Sequence, residues 1–155
     1  MMMRMVFSVF FFAALVLSHG CSLRQLAPGA KSYKEPTAYN VKFKAYTVNI
    51  SNPEFDRRCY YKVYINKIQA GRTSTGLESQ VAAFTAKLSI NRHLIKVEKW
   101  VLKHRSGSYE RLNNADQPKP DFLYFDVPEN RIVVITLVSD AVSGRSMFGL
   151  DFEYD

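Results

Sequence analysis

The sequence predicts an all-β fold, a single antiparallel β-sandwich. Three observations point to it. From residue 38 onward apolar residues recur with period two, the spacing of a strand with one buried face. Turn formers interrupt the runs at Asn52-Pro53, Asn66-Lys67, Asn91-Arg92, Ser106-Gly107-Ser108 and Ser143-Gly144. No stretch holds a helical period for the length of an ordinary helix, and only Gln80–Ala83 is expected to form one helical turn. Several short strands at this spacing are the pattern of a sandwich.

The strands follow in order. Val41, Phe43, Ala45 and Thr47 alternate with Lys42, Lys44 and Tyr46. Cys59, Tyr61, Val63 and Ile65 share the apolar face of the next run, with Tyr60, Lys62 and Tyr64 opposite. Phe84, Ala86, Leu88 and Ile90 alternate with Thr85, Lys87 and Ser89. His93, Ile95, Val97 and Val101 alternate with Leu94, Lys96, Glu98 and Trp100. Phe122–Val127 leads through the turn Pro128-Glu129-Asn130 into Ile132–Val138. That last run is nearly all apolar and β-branched, so it is expected to be central and buried on both faces. Phe148, Leu150, Phe152 and Tyr154 alternate with Gly149, Asp151, Glu153 and Asp155 in the final strand.

Ahead of these strands the chain has a different character. Met1–Met5 carry one positive charge, Arg4, and Val6–Leu17 is apolar apart from Ser8. Small residues, Ser18 and Gly20, then stand third-last and last before Cys21. This is the layout of a cleaved export signal, expected to span residues 1–20. The apolar run is about 12 residues, whereas a membrane span needs about 20. Residues 21–37 contain Pro28-Gly29 and Pro36 and no periodicity, and are expected to form a tether. At about 3.3 Å per extended residue it would reach tens of Å. The alternative is that it docks as an edge segment on the domain, residues 38–155.

Composition agrees with a folded, exported domain. The chain carries a formal net charge of +7, which falls by one when Arg4 leaves with the signal. Aromatic residues make up 14% against only seven glycines, which excludes a disordered chain. What remains after cleavage suits one domain with a core that needs no metal or disulfide.

Chemistry-bearing residues are sparse. Cys59 falls on an apolar strand face and is expected to be a small buried residue. His93 lies on a strand face and His104 between Lys103 and Arg105, so neither sits in a catalytic motif or at zinc spacing. Asp151, Glu153 and Asp155 project to one side of the last strand, as a solvated acidic face. No catalytic residue, metal site or cofactor is expected. The basic residues offer the candidate binding surface: Tyr60, Lys62 and Tyr64 on one strand, Lys96 and Trp100 on another. Export argues against intracellular nucleic acid and leaves an acidic glycan, a lipid headgroup or an acidic protein as partner. The alternative is that the lysines only keep a β-rich surface soluble and its edges unpaired.

Two stretches resemble known families. Leu17-Ser18-His19-Gly20-Cys21 resembles the degenerate lipobox of spirochaete lipoproteins, with one residue more than usual between Leu and Cys. The resemblance implies lipidation at Cys21 and a permanent membrane anchor, since two or more acyl chains exceed what stable anchoring takes. Ser22, where an Asp would mark inner-membrane retention, points to the outer membrane of a bacterial envelope. Ordinary signal cleavage is the alternative, and a Cys21–Cys59 disulfide then becomes available. Val63-Tyr64-Ile65-Asn66, Gly71-Arg72-Thr73, Phe84–Leu88 and Arg92–Val97 resemble the PEGA repeat of bacterial surface proteins over residues 61–101. Lys67, Ser74 and Asn91 depart from its Gly, Pro and Gly. This resemblance implies a small sandwich used for attachment or binding, with no catalytic residues.

The function expected is therefore a membrane-anchored envelope lipoprotein displaying a non-catalytic β-sandwich, in a structural or macromolecular binding role. Two alternatives stand beside it: a soluble secreted or periplasmic inhibitor or binding protein without lipid, and an enzyme of unknown class.

Overall fold

Period-two alternation becomes two packed sheets. The computed structural model describes residues 39–154; the expected export signal, Cys21 and the expected tether lie outside the described residues, as does Asp155. In chain order the strands are β1 (Val41–Val48), β2 (Arg58–Ile65), β3 (Ile68–Arg72), β4 (Gly76–Leu77), β5 (Ala82–Ala86), β6 (Arg92–Lys103), β7 (Ser108–Arg111), β8 (Phe122–Asp126), β9 (Arg131–Asp140) and β10 (Ser146–Tyr154). One sheet has the order β10-β9-β1-β5. The other runs β3-β2-β6-β7, with β4 also on β2 and β8 also on β6. The fold is an all-β sandwich.

Three details differ from the sequence expectation. The β1–β9 pair is parallel, with Val41 opposite Val133 and Val48 opposite Asp140, so the sandwich is not wholly antiparallel. After β1 the chain builds the second sheet, returning once to place β5 antiparallel on one side of β1, and β9 then enters on the other side of β1 from the same end. Gln80–Ala83 forms no helical turn; Ala82 already belongs to β5, and the one short helix among the described residues is a 3₁₀ turn at Pro53–Phe55 capped by Asn52. The turn at residues 128–130 links β8 and β9 but does not pair them: β8 pairs with β6, so this turn carries the chain between sheets.

Local chemistry explains the tight connections. Asn66 and Lys67 both take positive φ in the two-residue link from β2 to β3, the conformation that matches the right-handed twist of a hairpin. The inward side chains meet in one core holding Phe43, Tyr61, Val63, Ile95, Val97, Phe125, Ile135 and Leu137. Each fully buried aliphatic or aromatic side chain there contributes about 1.5–3 kcal/mol. Strand β9 lies between β10 and β1, and Ile132 and Val134 on its outer side are buried as well as Val133, Ile135 and Leu137. This is the central strand its nearly all-apolar run predicts.

Candidate functional site

Strand pairing assembles the predicted surface. Tyr60 stands opposite Trp100, Lys62 opposite Glu98 and Tyr64 opposite Lys96. Cross-strand partners point to the same side, so Tyr60, Lys62, Tyr64, Lys96 and Trp100 all share the outer face of the second sheet. Neighbouring strands widen it. Arg72 of β3 pairs with Lys62, Arg111 and Tyr109 of β7 pair with Trp100 and Leu102, and Phe122 and Tyr124 of β8 pair with Lys96 and Leu94.

Much of this face is engaged with itself. Tyr60 is buried, stacked on Trp100 at 6.1 Å between ring centroids and tilted against Tyr109 at 5.1 Å. Lys62 Nζ lies 3.8 Å from the centroid of the Trp100 ring, and the Arg72 guanidinium 5.2 Å from that of Tyr60. Such contacts are worth about 0.5–1 kcal/mol at exposed sites. The Tyr64 hydroxyl donates to Glu98 at 3.0 Å, and Arg111 pairs with the same carboxylate at 3.2 Å. Partial burial and this hydrogen bond hold the Tyr64 hydroxyl above its ordinary pKa. Lys96 reaches Asp121 at 3.4 Å. Tyr60 and Trp100 therefore act first as the floor of the face.

The accessible part lies beside them. Phe122 is 48% exposed and Tyr124 55% exposed, edge to face at 6.2 Å. Tyr64, Lys96, Glu98 and Lys67 complete the rim of a groove of about 500 Å³ around this pair. The Arg92 guanidinium lies 5.5 Å from the Tyr124 ring centroid. The sequence reading missed Phe122 and Tyr124 because it took β8 only as an apolar run. Their outward parity shows once Leu123 and Phe125 are recognised as the inward pair.

Lys99 does not belong to this face. It points inward with Val97 and Val101, and its side chain is 7% exposed. Its Nζ donates to Glu78 Oε2 at 2.5 Å and to Thr47 Oγ1 at 3.3 Å, while Arg57 Nε donates to Glu78 Oε1 at 2.7 Å. The Glu78 backbone is fixed too, its N–H donating to Arg57 and its carbonyl accepting from Thr47. Between the β6 segments paired with β8 and β7, the Gln117 amide replaces a strand neighbour. It accepts from the Lys99 N–H at 2.8 Å and donates to the Lys99 carbonyl at 3.1 Å. These groups floor a cleft of about 640 Å³ whose walls include Asn49, Phe55, Leu112, Asp140 and Val142. It lies at the far end of β1 from Val41. Asp140 at its rim accepts from Ser143 N, Asn49 Nδ2 and Val142 N, which hold its carboxyl below the usual range.

The remaining singled-out residues take structural places. His93 is buried between Asn66 Nδ2 and the Ser89 carbonyl, each at 3.0 Å from a ring nitrogen. An amide donor on Nδ1 leaves the proton on Nε2, the neutral tautomer. His104 is exposed. Cys59 is a free, buried thiol, and burial pushes its pKa up to about 11. Burial also raises the Tyr61 hydroxyl, which lies near Thr47 but has no hydrogen-bond partner of good geometry among the described residues. Comparison with known protein families, with curated proteins and with solved structures returned no match.

Proposed function

We propose that this chain is an exported, membrane-anchored binding module, held by lipid on Cys21, whose second-sheet outer face receives an acidic macromolecule at a bacterial cell envelope. One observation carries the binding half: an exposed Phe122–Tyr124 pair flanked by Lys96 and Arg92 on a broad, open sheet face. Exposed aromatic surface bordered by cations suits a ligand that offers apolar area and negative charge together, and an acidic glycan does so along its length. The leader and Cys21 support the anchoring half.

Binding of the processed protein to an acidic polysaccharide and to a neutral one, followed through a salt titration, tests the first half. Affinity should be confined to the acidic polymer and should fall steeply with salt, because exposed charges are screened beyond about 8 Å at physiological ionic strength. Replacing Arg92 and Lys96 by Gln should weaken binding several-fold, and Tyr124→Ala should weaken it without changing the salt slope. Binding that ignores salt, or that these changes leave untouched, refutes the surface. For the second half, the chain expressed in bacteria should incorporate labelled palmitate and lose it in Cys21→Ala. An unlabelled protein beginning at Cys21 would instead favour the soluble secreted form.

A further inference from the structure

Strand β10 is an edge that nothing among the described residues covers. It forms one border of the first sheet and pairs only with β9. Phe148, Leu150 and Phe152 stand on the core side, opposite the buried Leu137, Ile135 and Val133. Phe148 packs against the core, yet Leu150 is 45% and Phe152 42% exposed. The second sheet does not extend far enough to cover them. The strand has nine residues and carries no proline, lysine or bulge, and of the devices that blunt an edge it has only the charges of Asp151 and Glu153.

Gly149 sits in the middle of this edge without an internal reason. Its φ is not in the left-handed region, and an added Cβ would meet only Thr136 at ordinary contact distances, 3.8 and 4.0 Å. Glycine inside a strand costs stability and marks a place where another backbone comes close. Charge then selects what comes close. Met147, Gly149, Asp151 and Glu153 share the outer parity of the strand, and Arg145, the residue just before it, continues that parity. An antiparallel copy paired with a two-fold axis at Gly149 would set Glu153 opposite Arg145 of the other copy, twice. Asp151 would face Met147, and Leu150 would face Phe148 on the core side. An axis at Asp151 or Phe152 would oppose acid to acid. Arg145 makes no ion pair among the described residues, and Glu153 has only a contact of 3.9 Å to Lys42.

We infer that β10 pairs with β10 of a second copy of this chain, antiparallel about Gly149. The joined sheet has eight strands, and its symmetry places both second-sheet faces on the same side. A repeating polymer would then meet two equivalent surfaces, and linked sites bind with an avidity neither has alone.

Sedimentation of the full chain in detergent, over a range of concentration, tests the pairing. The protein should be a dimer, and Leu150→Lys should make it a monomer with an unchanged circular dichroism spectrum. Glu153→Arg and Arg145→Glu, each alone, replace two attractive cross-strand pairs by two repulsive ones. Each should weaken dimerisation about fourfold or more. The double exchange should restore it. These two positions are exposed and outside the core, so they decide the matter even if Leu150→Lys fails to fold. A monomer at high micromolar concentration overturns the proposal, as does a dimer indifferent to the single exchanges or a double exchange that restores nothing.

Discussion

Replacing Glu78 by Gln should be among the most damaging single-atom changes in this domain. Glu78 and Lys99 side chains are 6% and 7% exposed, so water screens neither. Glu78→Gln removes the negative charge and leaves the buried Lys99 ammonium with neutral partners alone, the Thr47 hydroxyl, the Tyr61 ring and at best the new amide oxygen. Removing one partner of a buried pair costs about 3–5 kcal/mol, because the other charge stays uncompensated. Arg57 must now share the single amide oxygen with Lys99, but at 37% exposed it can turn to solvent and adds little. Lys99→Met is different. It removes the buried ammonium, keeps the chain's volume and leaves Glu78 paired with Arg57, so it should cost less than about 2 kcal/mol. The double variant should be more stable than Glu78→Gln alone. Urea unfolding reads all three. With a slope of about 2 kcal/mol per molar, Glu78→Gln should lower the midpoint by roughly 2 M. A loss below about 1 kcal/mol for Glu78→Gln, or equal losses for the two single variants, would refute the argument that an orphaned ammonium sets the cost.

Three further outcomes follow from local geometry. Gln117→Ala should destabilise by about 1–3 kcal/mol, since it strands the buried N–H of Lys99 while the Leu112 N–H still serves the Lys99 carbonyl; hydrogen exchange at the Lys99 amide should accelerate, and an unchanged rate would show that another group satisfies it. Lys67→Gly should stabilise by about 1 kcal/mol in thermal unfolding, because Lys67 holds φ 71° where glycine bears no strain; a neutral or destabilising result would mean that the lysine side chain contributes more than the strain. Cys59 should resist thiol reagents in the folded protein below about pH 9. Its folded pKa, about 11, lies above its ordinary 9.0, so the unfolded chain releases the proton first. The stability this gives is fully present below pH 9 and is lost as pH rises towards 11. Relative to Cys59→Ala, wild type should therefore lose about 2–3 kcal/mol across that window, and a pH-independent difference would refute the burial of the thiol.

The alternation of side chains made most of the fold legible. Val41 to Thr47, Cys59 to Ile65 and His93 to Val101 face inward at the positions their period predicts. Pairing between strands was less so. The parallel β1–β9 contact joins segments about ninety residues apart, and period two carries no information on strand direction. Strands β3, β4 and β7 were hidden because they lie at edges, exposed on both faces and without an apolar signature. The five predicted surface residues do share one face, because β2 and β6 are neighbours in register. Lys99 shows where the pattern itself held a clue. It occupies an inward position between Val97 and Val101, and an ionisable group there needs a buried partner. Glu78 could not be named from sequence, because it comes from a loop brought in by tertiary contacts rather than by any repeating spacing.

Inward parity and burial are separate properties, and β10 separates them. Phe148, Leu150 and Phe152 obey the same alternation as Val133, Ile135 and Leu137 beside them. Only the β9 residues are fully covered, because coverage depends on how far the opposite sheet extends. A sequence pattern reports which way a side chain points; the width of the facing layer decides whether it meets protein or water. The same reasoning applies to the second sheet in reverse. Tyr60 lies on an outward face, yet Tyr109, Arg72 and Trp100 bury it, because long side chains on adjacent strands can roof a position that parity assigns to solvent. Exposed apolar surface therefore arises in two ways: parity and cover disagree at Leu150 and Phe152, on the core side of an uncovered edge. At Phe122 and Tyr124 the two agree, since outward parity meets no neighbour large enough to close over the rings.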